Sequence, residues 1–275
     1  MSEERRGSVA VFEGIWQQYL SDADEPEFTA QQELFAERKN EALLKILPPA
    51  PATVLECGCG SGEVSAFLAG HGYTVTLLDA SPSALAFAEK RFHRQNLTGT
   101  FIQGDVYHLP FLDESFDVLL SFGLLEHFED VDVVIGEMTR VIKPGGLFFA
   151  DIVTGRFSVQ TLGHVFNAAV RMIYHTAKGA PRTGIREARK LFKPDFYENT
   201  YPAVAYIEMM ERAGIKDVVL HGNRPFPGLT LPGVMDRTYV ALMRACMPLW
   251  RRFDESSSPV TRRIGAGWWA WGRKA

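Results

Sequence analysis

Cysteine is scarce in this chain, and long apolar runs are missing. The 275 residues contain three cysteines: Cys57 and Cys59, one residue apart, and the remote Cys246. A disulfide framework needs more of them, and a tetrahedral zinc site needs four ligands at recognisable spacing, so no metal is expected. No apolar run approaches the roughly 20 residues of a membrane-spanning helix. The charged opening from Met1 to Gly7 is not followed by the apolar segment of a signal peptide, so cytoplasm is the expected compartment. Net charge is also low, −4, with 46% hydrophobic residues. Those values and this length suit one large α/β domain with a well-buried core.

Glycine, by contrast, is concentrated at one point. Thr53 to Cys57 reads as a short buried strand, preceded by the proline stop Pro48, Pro49 and Pro51. Gly58, Gly60 and Gly62 follow, and Glu63 to Ala69 resumes as a helix. Strand, glycine loop and helix open a nucleotide-binding βαβ unit, in which backbone approaches a ligand closely and the helix N-terminus offers free N–H groups. The spacing is G-x-G-x-G. The dinucleotide spacing G-x-G-x-x-G is not met, because Glu63 follows Gly62.

Further elements fall in register behind this loop. Tyr73 to Leu78 is a second strand ending in Asp79, about 20 residues after the loop, where a carboxylate can grip a ribose diol. Ser81-Pro82 caps and starts a helix. Thr100 to Gln103 is a third strand, running into Gly104-Asp105-Val106. Phe116 to Ser121 is a fourth, running into Phe122-Gly123-Leu124-Leu125-Glu126-His127. Lys143-Pro144-Gly145-Gly146 breaks a helix and opens a fifth strand, Leu147 to Val153.

The series E-C-G-C-G-S-G, L-L-D-A-S, G-D-V, F-D-V-L-L-S-F-G-L-L-E-H and K-P-G-G, in this order, resembles a class I S-adenosylmethionine (SAM)-dependent methyltransferase. The likeness covers residues 50–153, with weaker similarity to 243. It implies an α/β fold: a seven-stranded, mostly parallel doubly wound, Rossmann-like sheet with its last strand antiparallel. It also implies SAM as cofactor. Carried onto these positions, Gly58, Gly60 and Gly62 line the methionine end of SAM, with Glu56 and the small Cys59 beside them. Asp79 binds the ribose hydroxyls and Ala80 touches the adenine. Asp105 meets the adenine amino group, and Val106 supplies a backbone N–H. Ser121 and Phe122 face the methyl group and the substrate. His127, just past the fourth strand, is the candidate general base, with His164, His175 and Tyr174 as weaker alternatives.

Outside this core the chain divides into three further parts. Residues 1–49 carry two amphipathic patterns, Phe12, Ile15, Trp16 and Tyr19, then Leu34, Phe35, Leu43, Leu44 and Leu47, with an acidic loop from Asp22 to Glu27 between them. They are expected to form a helical lid, with Trp16 and Tyr19 toward the site. Within a methyltransferase domain placed at 50–244, residues 154–199 form an insertion after the fifth strand. Phe157, Leu162, Val165 and Phe166 are its candidate substrate contacts. From Arg156 to Lys193 it holds eight Lys or Arg against Glu187 alone. A helix at 201–213 and two last strands, Ile215 to His221 and Thr238 to Met243, complete the predicted domain. Residues 245–275 then read as a basic, Trp-rich tail suited to a membrane boundary, or equally to packing on the domain with its arginines solvated. Residues 156–193 and 244–275 together carry +12, leaving −16 for the rest. That asymmetry points to an anionic partner, such as the inner face of a membrane.

The expected reaction is therefore in-line methyl transfer to O, N or C of a small or lipid-like metabolite. Asp151-Ile152-Val153 lacks the acidic-Asn pair of metal-dependent catechol methylation, and Ser121-Phe122-Gly123-Leu124 replaces the N/D-P-P-Y/F signature of amide- or adenine-directed enzymes. No nucleic-acid-reading motif accompanies the basic segments. Two other classes stay open: an NAD-dependent oxidoreductase, which shares the glycine loop and Asp79, and a non-catalytic partner protein on the same fold. Oligomeric state is not legible in the sequence.

Overall fold

A computed structural model describes residues 3–21 (side chains from Ser8), 29–153, 155–193 and 195–275. The expected acidic loop from Asp22 to Glu27 lies outside the described residues. In chain order the elements are α1 (Glu3–Ser21), α2 (Ala30–Leu44), β1 (Thr53–Cys57), α3 (Glu63–Gly70), β2 (Thr74–Asp79), α4 (Pro82–Arg94), β3 (Thr100–Gln103) and β4 (Phe116–Phe122). A single turn of 3-10 helix at Leu125–His127 follows. Then come α5 (Val131–Arg140), β5 (Ile142–Ile152), α6 (Val159–Ala177), α7 (Pro181–Lys190), α8 (Ala203–Arg212), β6 (Ile215–Asn223), α9 (Gly233–Ala245), α10 (Met247–Asp254), α11 (Pro259–Ile264) and β7 (Gly267–Lys274).

The seven strands form one sheet in the order β3-β2-β1-β4-β5-β7-β6. β1 to β5 are parallel, and β7 runs antiparallel between β5 and β6. The central strands read as continuous apolar runs because helices cover both faces. Leu55, Leu119 and Phe148 face one buried layer with α5 and α8. Val54, Val118, Leu120 and Phe149 face the other, with α3 and α4. Strand order reverses between β1 and β4, which opens a crevice at their carboxyl ends, where open α/β sheets bind ligands.

The C-terminal third corrects two expectations. Thr238 to Met243, read as a strand for its β-branched start, lies within helix α9. Its inward residues Asp236, Val240 and Met243 recur at helical spacing. Asp236 also accepts from the Ala30 amide, which ties α9 to α2. The last strand instead comes from the segment read as a tail. Trp268 and Trp269 are buried within β7, and the Trp268 indole donates to the Arg262 carbonyl at 2.7 Å. Some of the cations there are engaged internally: Arg251 pairs with Glu41, Arg244 with Glu37, and Lys274 donates to the Ile142 carbonyl. Trp268, Trp269 and Trp271 lie in the sheet, and Trp250 is buried in α10.

The insertion forms an α6–α7 hairpin. The hairpin meets the body through Asn167, which donates to the Gly228 carbonyl, and Gln160, which accepts from the Gly228 amide, and the segments beside it do so through Arg156 and Asn199. Phe157 is 73% exposed, and Leu162, Val165, Phe166 and Ile173 are exposed too. Among the described residues no helix is long and apolar enough to cross a membrane.

Candidate active site

The crevice is built from strand ends. Gly58 and Gly60 follow β1, Asp79 ends β2, Gly104 and Asp105 follow β3, and Phe122 ends β4. All of them line one pocket, together with Ala80, Val106, Leu124, His127 and Phe128. Helix α1 roofs it with Ser8, Val9, Phe12 and Trp16.

Two glycines are required by the close approach. Gly60 has φ +49°, and a Cβ there would lie 2.9 Å from the Trp16 ring. Gly58 has φ +67°, and a Cβ would lie 2.8 Å from Leu124. Any other residue at either point would fill the cradle or strain the loop.

Asp79 holds the loop from beneath. One carboxylate oxygen accepts from the Gly60 amide and the other from the Ser81 amide, each at 2.9 Å. Burial pushes its carboxyl up, and those amides pull the other way. Asp105 accepts from the Tyr107 amide at 3.1 Å and lines the pocket beyond β3.

His127 sits where the roof and the insertion meet. Its Nδ1 lies 2.9 Å from the Tyr197 carbonyl, which assigns that nitrogen the proton. Its ring forms a three-ring cluster with Phe12 and Phe196, at centroid distances of 4.9 and 5.2 Å, the two phenyl rings being 5.1 Å apart. Burial pulls the imidazole pKa down, with the Tyr197 and Gly123 carbonyls opposing. Beside it Glu126 is buried, and burial raises its carboxyl to about 8. One of its oxygens accepts from the Val153 amide at 3.2 Å.

Of the site residues expected from sequence, Gly58, Gly60, Asp79, Ala80, Asp105, Val106, Phe122, Trp16 and His127 line the pocket. Four lie beneath its floor. Glu56 is buried and accepts from the Ser65 hydroxyl and amide, and burial raises its carboxyl to about 7. Cys59 turns its side chain into the core, while its amide donates to the Leu78 carbonyl. A Cβ at Gly62 would strike Ala88 and Leu77, so this glycine serves the packing of the loop on α4. Ser121 is fully buried in β4. Tyr19 packs on Trp16 and Phe87 outside the pocket.

Phe157, Leu162 and Phe166 do not line the pocket, because α6 turns that face outward. His164 packs on Phe192 and His175 on Tyr174, both within the hairpin region. Sequence reasoning missed Ser8, Gly123, Leu124 and Phe128. Leu124 lies within the F-G-L-L-E-H stretch and Phe128 directly follows it, so both were legible from that motif, whereas Ser8 carried no signal.

The parallel sheet, its reversed last strand and a glycine cradle backed by an acidic strand end are those of the class I SAM-dependent methyltransferase fold. Residues 55–150, which hold β1 to most of β5, match the family described as "Methyltransferase domain". The chain is 37% identical to the "Uncharacterized methyltransferase YodH" of Bacillus subtilis over 109 residues, 39% of this chain and 46% of that one. It is 27% identical to the malonyl-[acyl-carrier protein] O-methyltransferase of Pectobacterium atrosepticum over 216 residues, 76% and 79% of the two chains. A solved SAM-dependent methyltransferase from Thermotoga maritima has the same fold, with TM-score 0.55 at 17% identity, covering 98% of this chain and 100% of that one. The chain thus spans about half the length of the first of these relatives.

The residues present fit SAM. The glycine cradle would be closed by any Cβ, and the carboxylates of Asp79 and Asp105 face the same crevice from adjacent strand ends.

Proposed function

We propose that the chain methylates an O, N or C atom of a small or lipid-like metabolite, and that it does so at an anionic surface. The observation that carries the acceptor class is the apolar wall beside the glycine cradle: Val9, Phe12, Phe122, Leu124 and Phe128. Such a wall suits an acyl or prenyl portion better than a polar one. The malonyl-[acyl-carrier protein] relative, by its name, also acts on an acyl group.

When bound, SAM supplies a methyl group already activated on a sulfonium. In this reading Asp79 takes the ribose diol, Asp105 and the Val106 amide take the adenine, and the Gly58–Gly60 backbone takes the methionine end. Phe122 orients the acceptor. Helix α1 closes over both and excludes water, which matters because in-line displacement needs the reacting atoms held roughly 3–3.5 Å apart. His127, neutral at neutral pH with its Nδ1 proton fixed on Tyr197, presents Nε2 as acceptor for the proton released by a hydroxyl or carbon nucleophile.

The surface contact falls to the α6–α7 hairpin. Arg182, Arg189 and Lys193 are exposed and have no partner among the described residues, and exposed Ile173, Ile185 and Phe192 accompany them. Basic side chains near an anionic leaflet each add about 1 kcal/mol, which fades with salt.

Incubation with labelled SAM and fractionated cell extract tests the acceptor, and label in the organic phase is the expected result. Label confined to water-soluble products would overturn the lipid-like reading. Co-sedimentation with anionic but not neutral vesicles, lost on changing Arg182, Arg189 and Lys193 to Glu, tests the surface.

A further inference from the structure

A second, larger cavity of about 840 Å³ lies on the other side of Phe122 from the glycine-loop pocket. Its walls come from α2 (Arg38, Lys39, Asn40), the end of β5 (Asp151), Arg224 just after β6, and Trp269 of β7. Phe122 lines the first pocket, its ring lies 5.0 Å from the Lys39 ammonium of the second, and its backbone is paired in register with Asp151, also of the second.

What distinguishes this cavity is buried donors that make no hydrogen bond among the described residues, although carboxylates stand near them. Arg38 is 2% exposed, yet none of its three guanidinium nitrogens makes a hydrogen bond among the described residues. Its Nε lies 3.1 Å from an Asp254 carboxylate oxygen, but without the alignment a hydrogen bond needs. The Trp269 indole N–H, 4% exposed, and Nη2 of Arg224 likewise lack hydrogen-bond acceptors. Arg38 lies 5.8 Å from the Trp269 ring, so these donors share one wall. Buried donors left unsatisfied are costly, and a guanidinium fork matches the two oxygens of a carboxylate or phosphate.

The nearby acids give opposite charge at longer range but no hydrogen bond: Glu41 and Glu255 lie 3.7 and 3.9 Å from Arg38, and Asp151 lies 3.8 Å from Nη2 of Arg224. Each has a nearer partner: Lys45 holds Glu255 at 2.8 Å, Arg251 holds Glu41 at 3.0 Å, and Asp151 accepts from Asn223 at 3.0 Å, while Glu63 is held by Lys39 at 2.8 Å. Burial raises the Asp254 carboxyl to about 7 even beside Arg38, so near neutral pH it balances the guanidinium only in part.

We infer that this cavity binds the oxyanion end of the methyl acceptor, a carboxylate or phosphate held by Arg38, the Trp269 N–H and Arg224. The inference rests on the methyltransferase reading and adds its substrate class: an anionic amphiphile whose charged end lies across Phe122 from the methyl donor. Lys39, above Phe122, adds positive charge along the same path.

Dodecanoate, dodecyl phosphate and dodecanol, titrated into the full chain with S-adenosylhomocysteine present, test it by calorimetry. Both anions are expected to saturate one site at least about tenfold more tightly than the alcohol. The tighter of the two then tells carboxylate from phosphate. Arg38→Gln should remove that preference. Trp269→Phe, which keeps the ring and deletes only the N–H, and Arg224→Gln should each weaken anion binding about threefold to tenfold. Equal affinity for the alcohol, or anion binding untouched in Trp269→Phe and Arg224→Gln, overturns the inference. S-adenosylhomocysteine binding, measured alone, separates these outcomes from failure of the methyltransferase reading. An oxyanion bound without any methyl transfer would leave the site standing and the reaction wrong.

Discussion

The Glu13 carboxylate of α1 accepts from the Ser81 hydroxyl, the cap of α4, at 2.6 Å. The same carboxylate accepts from the Ser83 hydroxyl at 2.5 Å and from the Ser83 amide. A negative side chain of one helix thereby caps the N-terminus of another, where backbone N–H groups have no partner of their own. Ser81 also lines the pocket beside Asp79, so the latch fastens the roof at the cofactor crevice.

The latch makes a prediction with a defined sign. Burial pushes the Glu13 carboxyl up, but the Ser81 and Ser83 bonds outweigh it and the net shift is downward. A depressed carboxylate stabilises the closed roof above the ordinary carboxylate range and loses that contribution as pH falls through its lowered value. Glu13→Gln should speed amide exchange across α1 at neutral pH. It should also weaken S-adenosylhomocysteine by about twofold to tenfold, a modest effect because the group is partly solvated. Wild-type protein should lose α1 protection on acidification, and the variant should show no such step.

Asp79→Ala removes both the ribose-facing carboxylate and the anchor of the Gly60 and Ser81 amides. S-adenosylhomocysteine should bind about 1–3 kcal/mol more weakly by titration calorimetry. Unchanged affinity would take Asp79 out of the ribose role.

The two halves of the chain were not equally legible. β1 to β4 announce themselves because each ends on a functional turn: Gly58 after Cys57, Asp79, Gly104 and Phe122. A parallel strand buried on both faces reads as an unbroken apolar run. Past residue 200 those markers stop. Thr238-Tyr239-Val240 favours a strand by local preference, but tertiary packing of Val240 and Met243 against Leu34 and Trp250 makes it helix. Gly267 to Lys274 has the aromatic bias of a strand, yet its interleaved Arg and Trp suit a membrane boundary equally well. Only pairing with both β5 and β6 decides between them, and that information is non-local. The donor-rich second cavity was invisible for the same reason, since Arg38, Arg224 and Trp269 meet from three distant segments.

A chain ending at Arg244 lacks β7, and β5 and β6 then lose their shared partner. It should fail to accumulate as folded protein. Within the full chain, Trp268→Ala removes a buried indole that carries Arg156 at 4.4 Å and donates to Arg262. A loss of about 3–5 kcal/mol is expected from urea midpoints. A near-neutral result would mean that β7 adds little to the sheet.

Glu126 gives a stability test in the alkaline direction. Burial holds its carboxyl up at about 8, against an ordinary value of 4.5. A raised carboxyl contributes fully below the unfolded value and loses that contribution as pH climbs through the folded one. Wild-type melting temperature should therefore fall more steeply between about pH 4.5 and about pH 8 than that of Glu126→Gln. Parallel curves would show that Glu126 is ionised in the native state.

His127 joins the roof, the insertion and the chemistry in one side chain. Phe12 of α1 and Phe196 pack on its ring, and the Tyr197 carbonyl fixes its proton. Burial lowers its pKa, so the neutral base should persist below the usual histidine range, and turnover should fall only when pH drops through that depressed value. His127→Gln should lower turnover by about 10²–10⁴ while leaving S-adenosylhomocysteine affinity nearly unchanged. The residual rate should also lose the acid limb of the wild-type profile. A variant with wild-type turnover and the same acid limb would assign His127 to packing, and would mean that the acceptor atom needs no base.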